Sequence, residues 1–205
     1  MGINLDRYID FIEHRILRDE WRVGWFKSFR NVDINGFKCM LLIYGHSRHF
    51  KTKGFIFPRL QLPYLFPYGA AAMLFAFDEV DINLIERVLD VVREYMRDTL
   101  FKTPENVEWD IDVAYVAIAS KSIDESAIEY IEDVYKPEVL NQYMMCEGSF
   151  GKIVKRIGLV LIDLNNRRIY SANDMFSKEA RRLFNPKPSI AEKIIYSFKK
   201  NILNF

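Results

Sequence analysis

An uncharged run of eighteen residues, Leu60 to Phe77 (LQLPYLFPYGAAAMLFAF), constrains the fold of this chain more than any other feature. Such a run is expected to lie in a membrane, in the protein interior or at an interface between subunits, because exposing it to water is unfavourable. Pro63, Pro67 and Gly69 interrupt it and leave about eight continuous apolar residues, whereas a membrane-spanning helix needs about 20. We therefore expect no membrane span, but a buried loop that leads into a core strand or short helix at Ala70–Phe77.

Strand and helix patterns alternate on both sides of this run. Asn35-Gly36 separates two apolar strand-like segments, which is a strong hairpin signal. Asp81 can cap a helix with clear helical spacing over 82–100. The further elements expected are a helix over 4–20, strands 23–34 and 37–44, a polar loop 45–54, a strand 108–119, a helix from the capping box Ser122–Glu125 to Tyr135, a hairpin of 153–164 and 167–171, and two closing helices, the last capped by Ser189.

This order predicts the fold class. Two hairpins and a strand–helix unit indicate an α+β fold with a mixed, largely antiparallel sheet of about five or six strands, covered by helices. No linker or low-complexity tract interrupts the 205 residues, so we expect one globular domain over 1–205.

Composition favours a reducing compartment. Cys39 and Cys146 lie far apart in no metal-ligand spacing, and the charged start MGINLDRYIDFIEHRI does not resemble a signal peptide. We expect a cytoplasmic protein. The chain has 22 Ile against 11 Ala and only two Gln, which favours a thermophilic archaeon or an archaeal virus as its source.

Charged residues are sorted into blocks although the net charge is only +1. Residues 22–59 carry eight Lys/Arg and one acid, Asp33. Residues 78–135 carry sixteen Asp/Glu against five Lys/Arg, and residues 152–200 carry twelve Lys/Arg against four acids. If the fold keeps these blocks apart, the protein has a basic surface that its net charge conceals.

The polar loop expected at Gly45–Gly54 is the first candidate binding site. Imidazoles, cations and hydroxyls of this kind hold phosphate oxygens through charge-assisted hydrogen bonds, which give affinity without sequence specificity. A solvated loop is the alternative, and a metal site is disfavoured because no carboxylate or thiol is near. The candidate residues are His46, Ser47, Arg48, His49, Lys51 and Lys53.

A second candidate begins at Gly148-Ser149-Phe150-Gly151-Lys152 and continues into an alternating basic and apolar run. This Gly-x-x-Gly-Lys segment is similar to the nucleotide-clamping loop of KH domains, and the resemblance implies contacts to a nucleic-acid backbone. The alternative is a glycine turn that enters a strand. The candidate residues are Gly148, Gly151, Lys152, Lys155 and Arg156.

Three acids, Glu108, Asp110 and Asp112, alternate on the strand expected at 108–119 and would share one face. Such a face can bind Mg²⁺ or Mn²⁺ for phosphodiester hydrolysis, or it can be a solvated strand entrance. The element order over 4–119 also resembles the helix–three strands–helix–strand core of PD-(D/E)xK nucleases, which take their metal carboxylates and lysine from the second and third strands. Those segments contain no acid here, so a nuclease site would be rebuilt around the three acids and Lys121.

These observations predict a nucleic-acid-binding protein that uses basic hairpin and loop surfaces and has no cofactor. One alternative is a structural protein that self-associates through complementary charges and the apolar segment 60–77. The other is a metal-dependent nuclease of unusual layout. We expect nucleic acid or a second copy of the chain as the partner, and neither a membrane nor a small-molecule substrate.

Overall fold

The computed structural model describes residues 3–20, 24–52, 60–104, 106, 108–137, 139–146 and 149–187. For residues 19–20, 24, 47–52, 60–68, 139–146 and 149–154 it describes the backbone only. The elements in chain order are α1 (Leu5–His14, continued by π-helical turns at Arg15–Glu20), β1 (Gly24–Ile34), β2 (Phe37–Thr52), β3 (Leu60–Val80), α2 (Ile82–Asp98), β4 (Leu100–Lys102), β5 (Glu108–Asp110), β6 (Val113–Ile123), α3 (Glu125–Glu129, continued to Val134), β7 (Val139–Cys146), β8 (Ser149–Asp163), β9 (Arg168–Ser171) and α4 (Met175–Leu183).

The first hairpin forms where the sequence predicts it. Asn35 and Gly36 both have positive φ angles (49° and 84°), as a tight turn between twisted strands requires, and β1 pairs with β2 in antiparallel register. The predicted polar loop at 45–54 is wrong for residues 45–52. These residues continue β2, and Lys51 and Thr52 pair with Gln61 and Leu60 of β3.

The uncharged run lies in β3, a strand of 21 residues. Ala70 to Phe75 are completely or almost completely buried, because β3 has β2 on one side and β6 on the other. The expected strand at Ala70–Phe77 is therefore confirmed, and the loop expected before it is replaced by an earlier start of the same strand. Among the described residues, no helix has the length and apolar character needed to cross a membrane.

Helix α2 connects two parallel strands, β3 and β6. The side chain of Asp81 accepts a hydrogen bond from the backbone N–H of Leu84 (2.7 Å), which confirms the predicted cap. The strand predicted at 108–119 is divided into β5 and β6, and β5 pairs with β4 in a separate two-stranded ribbon. Apart from the inserted β4–β5 ribbon, the predicted order of helix, three strands, helix and strand is present from Leu5 to Ile123.

The second half of the chain differs more from the expectation. The Gly-x-x-Gly segment forms no clamping loop between helices, because residues 149–152 belong to β8 and pair with β7, a strand that was not predicted. The predicted hairpin of β8 and β9 is confirmed. Helix α3 begins after Asp124 instead of Ser122, since β6 continues to Ile123 in register with Val80. Ser189 and the last predicted helix lie outside the described residues.

The main sheet has the order β1-β2-β3-β6-β8-β7, with β9 also paired to β8. The pairs β3–β6 and β6–β8 are parallel, and the other four pairs are antiparallel. The predicted α+β class with a mixed, largely antiparallel sheet is thereby confirmed, with seven strands in this sheet.

Apolar side chains on both faces of the sheet form two buried clusters. On one face, α2 and the helix at 125–134 pack on Met73, Val116 and Leu159. On the other face, α1 and α4 pack on Leu74, Ala117 and Val160. These residues alternate along each strand, as a sheet covered on both faces requires.

Candidate functional site

The central strand β6 begins just after Asp112, between β3 and β8. The backbone N–H of Asp112 donates to the Gly69 carbonyl of β3 (3.0 Å), and the Asp112 carbonyl accepts from Arg156 of β8 (2.9 Å). From Val113 onward, β6 fills the position between β3 and β8. On the other side of Asp112, the chain leaves the sheet toward β5, while β3 and β8 continue.

Two antiparallel ribbons therefore extend past the amino end of β6. The β2–β3 ribbon consists of residues 47–52 and 60–68, and the β7–β8 ribbon consists of residues 139–146 and 149–155. The predicted binding residues Ser47, Arg48, His49 and Lys51 belong to the first ribbon, and Gly151 and Lys152 belong to the second. Their side chains are outside the described part of the structure, as are Lys53 and Gly148 entirely.

The structure thus brings the two predicted basic segments to the same end of the sheet. This follows from the register, because β2 and β8 both continue past the first residue of β6. The sequence alone does not show that the two segments are close in space, because 95 or more residues separate them in the chain.

Lys155 lies between these ribbons and the helical layer, and it is buried. Its side chain is 1% exposed. The ammonium group donates to Oδ1 of Asp110 (2.8 Å) and to the carbonyl of Met96 in the last turn of α2. The carboxylate and the negative end of the helix dipole both stabilise the buried charge. Lys155 is therefore inside the protein and not on the phosphate-binding surface for which the sequence pattern made it a candidate.

The three alternating acids have different surroundings. Glu108 is exposed and forms an ion pair with Lys102 across the β4–β5 ribbon (3.0 Å). Asp110 forms the ion pair with Lys155, and its side chain is 20% exposed. Asp112 is half-buried, and its Oδ2 accepts a hydrogen bond from the backbone N–H of Gly69 (2.8 Å). The expected common face of three carboxylates is not formed, because the strand is interrupted at Ile111 and Asp112.

The carboxyl group of Asp112 has a raised pKa. Burial is the largest cause, and the nearby negative charge of Asp110 adds to it. The hydrogen bond from Gly69 and the positive charge of Lys155 act in the opposite direction. Asp110, Asp112 and Lys155 thus interact electrostatically as one group at the base of the two ribbons.

His46 is also buried, with 2% of its surface exposed. Its ring stacks on Trp109 of β5, with 4.8 Å between ring centroids and 20° between the planes. The imidazole predicted to contact phosphate therefore packs inside the protein and joins β2 to the β4–β5 ribbon.

The remaining candidates lie apart from this group. Lys121 is exposed near the opposite end of β6, eight residues after Val113, which corresponds to about 26 Å along a strand. It is too distant to join Asp110 or Asp112 in one site. Arg156 is half-buried, and its guanidinium lies 5.2 Å from the ring centroid of Phe176.

The described residues form neither a metal site nor a reactive thiol. Among the described residues, no three His, Cys, Asp or Glu side chains are grouped so that they could hold a metal ion. The carboxylates that the nuclease alternative requires already bond to Lys155 and Gly69, so we derive no metal-dependent step. Burial raises the pKa of the Cys39 thiol to about 12, as expected of an unreactive core cysteine.

Several exposed acids lie at the opposite end of the sheet. Asp78, Glu79, Asp81, Asp124 and Glu125 are all exposed near the carboxyl end of β6. The helices above one face are also net acidic, since residues 81–98 carry five acids and three cations, and residues 124–137 carry five acids and one cation. Helix α2 extends to the ribbon end of the sheet, where Asp98 lies near Lys155. Exposed cations also lie at this end, at Lys38, Lys121, Arg167 and Arg168, so the charge blocks of the sequence are only partly separated along the strand direction.

Comparison with known proteins gives no relative for this chain. No protein-family model, no curated protein and no solved structure matches it. The functional interpretation therefore rests on the residues and topology described above.

Proposed function

We propose that the protein binds nucleic acid through the β2–β3 and β7–β8 ribbons. The observation that carries this proposal is the sheet register, which puts both basic chain segments at the amino end of β6. In sequence, residues 47–68 contain Arg48, Lys51, Lys53 and Arg59 and no acid. Residues 149–156 contain three cations and no acid, of which Lys155 is buried. Such clustered cations attract the phosphate backbone.

Two-stranded antiparallel ribbons are a known shape for contacting duplex DNA. The major groove of B-DNA is about 12 Å wide and admits a two-stranded β-ribbon. The cations at the opposite end of the sheet lie among exposed acids, whereas the ribbon segments 47–68 and 149–156 contain no acid. Electrostatic attraction therefore favours approach with the ribbons first. Duplex DNA is therefore the first probe to use, with single-stranded DNA and RNA as comparisons.

The test is a binding titration by fluorescence anisotropy at several salt concentrations. We expect log K to fall linearly with log salt, because binding releases counterions at about 0.9 per phosphate contact on duplex DNA. Lys51→Ala and Lys152→Ala should each weaken binding and reduce this slope by about one. Lys38→Ala is the matched control, because Lys38 is exposed on the same strand β2 near its opposite end. If wild-type protein binds none of the three probes at low salt, the proposal is wrong.

Self-association is a second candidate function, and the sorted charges favour it. The basic ribbon segments and the net acidic helices at 82–98 and 125–134 are complementary between copies, and a contact between unlike surfaces produces rings or filaments instead of a closed dimer. Light scattering at micromolar concentration should then show species larger than a dimer at low salt that dissociate as salt is added. A monomer under all these conditions would exclude this candidate.

A further inference from the structure

The contacts of Lys155 extend beyond a single ion pair. Lys155 belongs to β8, Asp110 to β5 and Met96 to α2, so one ammonium group connects three elements. It lies next to Arg156, where the main sheet ends and the β7–β8 ribbon begins. Asp112 forms a corresponding connection on the other side, through its carboxylate to Gly69 at the start of the β2–β3 ribbon.

We propose that Lys155 and Asp110 are positioning residues that fix the β7–β8 ribbon relative to the β2–β3 ribbon for nucleic-acid binding. This inference rests on the proposed function. Lys155 itself touches no phosphate, because its side chain is 1% exposed and its ammonium is bonded to Asp110 and to α2. Its charge is used inside the protein to hold the base of the ribbon.

Fixing two ribbons in one geometry raises affinity without adding a contact. When two linked elements bind the same ligand, the second binds intramolecularly, and overall affinity can exceed that of either element by 10²–10⁴. This gain depends on the geometry and is lost when the two elements cannot bind together. Loosening the base of one ribbon should therefore weaken binding even though every surface cation remains.

Asp110→Asn separates the positioning role from simple electrostatics, because the two predict opposite changes in affinity for DNA. This substitution removes a negative charge near the proposed interface, so simple electrostatics predicts equal or tighter binding of DNA. The positioning role predicts weaker binding by about tenfold, because the buried ammonium loses its ionised partner and the ribbon loses its fixed orientation. Lys155→Met should weaken binding by a similar factor, although it removes no cation from the surface.

Asp98→Asn is the matched control. Asp98 lies near enough to Lys155 to interact with it electrostatically, but its carboxylate bonds to the Arg97 side chain and is 65% exposed. Its removal changes the local charge as Asp110→Asn does, without breaking the connection between β8, β5 and α2. We expect binding that equals or slightly exceeds that of wild type.

Hydrogen–deuterium exchange provides a readout that does not depend on nucleic acid. In Asp110→Asn and Lys155→Met, backbone amides of 139–146 and 149–156 should exchange faster, while amides of the buried strand Ala114–Ala119 remain protected. Unchanged ribbon exchange, or Asp110→Asn binding DNA at least as tightly as Asp98→Asn does, would overturn the positioning role. If wild type binds no nucleic acid, the proposed function fails, and the exchange data still decide whether Lys155 anchors the ribbon.

Discussion

Gly69→Ala tests the most constrained backbone contact at the base of the ribbons. A methyl group at residue 69 would lie 1.7 Å from the carbonyl oxygen of Asp110 and 2.9 Å from its carbonyl carbon. Both are backbone atoms, so the clash is not relieved by a change of side-chain rotamer. Either β3 or the segment 110–112 has to move.

The expected cost follows from the bonds at this point. Such a movement weakens the hydrogen bond between the Asp112 N–H and the Gly69 carbonyl and the one between the Gly69 N–H and the Asp112 carboxylate. A neutral bond contributes about 1 kcal/mol and a bond to a charged group about 1.5–3 kcal/mol. Overpacking adds about 1–3 kcal/mol, and the better strand propensity of Ala returns less than about 1 kcal/mol. We expect a loss of roughly 4 kcal/mol.

Urea denaturation and thermal melting measure this loss. For a chain of this size, roughly 4 kcal/mol corresponds to a decrease in Tm of about 8–16 °C. Gly36→Ala is the control, because a methyl group there meets no atom within 4 Å and the cost comes only from the positive φ of 84°. That substitution should cost about 1–2 kcal/mol. If Gly69→Ala costs no more than Gly36→Ala, the close approach of β3 and Asp110 is refuted.

Asp112, Cys39 and Asp110 can each be tested directly. Because the pKa of Asp112 is raised, this group contributes stability that is lost as pH rises from the ordinary aspartate value of about 3.9 to the folded value. Urea titrations of wild type and Asp112→Asn between pH 3 and 7 should differ by this contribution. The Cys39 thiol should not react with a thiol reagent such as DTNB at pH 8 until the protein is unfolded, and rapid reaction of the native protein would contradict its burial. If the nuclease alternative holds, cleavage of DNA or RNA should require Mg²⁺ or Mn²⁺ and should be lost in Asp110→Ala, while absence of cleavage with any metal removes that alternative.

Local signals predicted the first half of the fold well. The Asn35-Gly36 turn and the Asp81 cap each depend on a few consecutive residues, so the sequence contains all the necessary information. The continuation of β2 to Thr52 depends instead on pairing with residues 60–63 of β3. Composition indicated a loop instead, because a polar segment bounded by glycines is more typical of a loop than of a strand.

The burial of Lys155 could have been predicted from the sequence. Lys155, Ile157, Leu159 and Leu161 occupy alternate positions of β8, and the last three lie in the cluster beneath α2. Period-two alternation therefore puts Lys155 on a core face, although its neighbours Lys152 and Arg156 made it look like part of a basic surface. Its ion-pair partner could not have been predicted, because Asp110 is 45 residues away in the chain. The two residues come together only because β6 and β8 pair in parallel.

This burial changes how the charge blocks relate to binding. His46 and Lys155 are inside the protein, so the proposed function depends on other cations of the two ribbon segments, such as Arg48, Lys51 and Lys152. Asp110 and Asp112 would oppose phosphate binding at the base of the ribbons if they were unpaired. Lys155 forms an ion pair with Asp110, and Asp112 accepts a hydrogen bond from the backbone N–H of Gly69. Under the proposed function, the buried lysine would serve binding in two ways, because it would fix a ribbon and neutralise the carboxylate next to it.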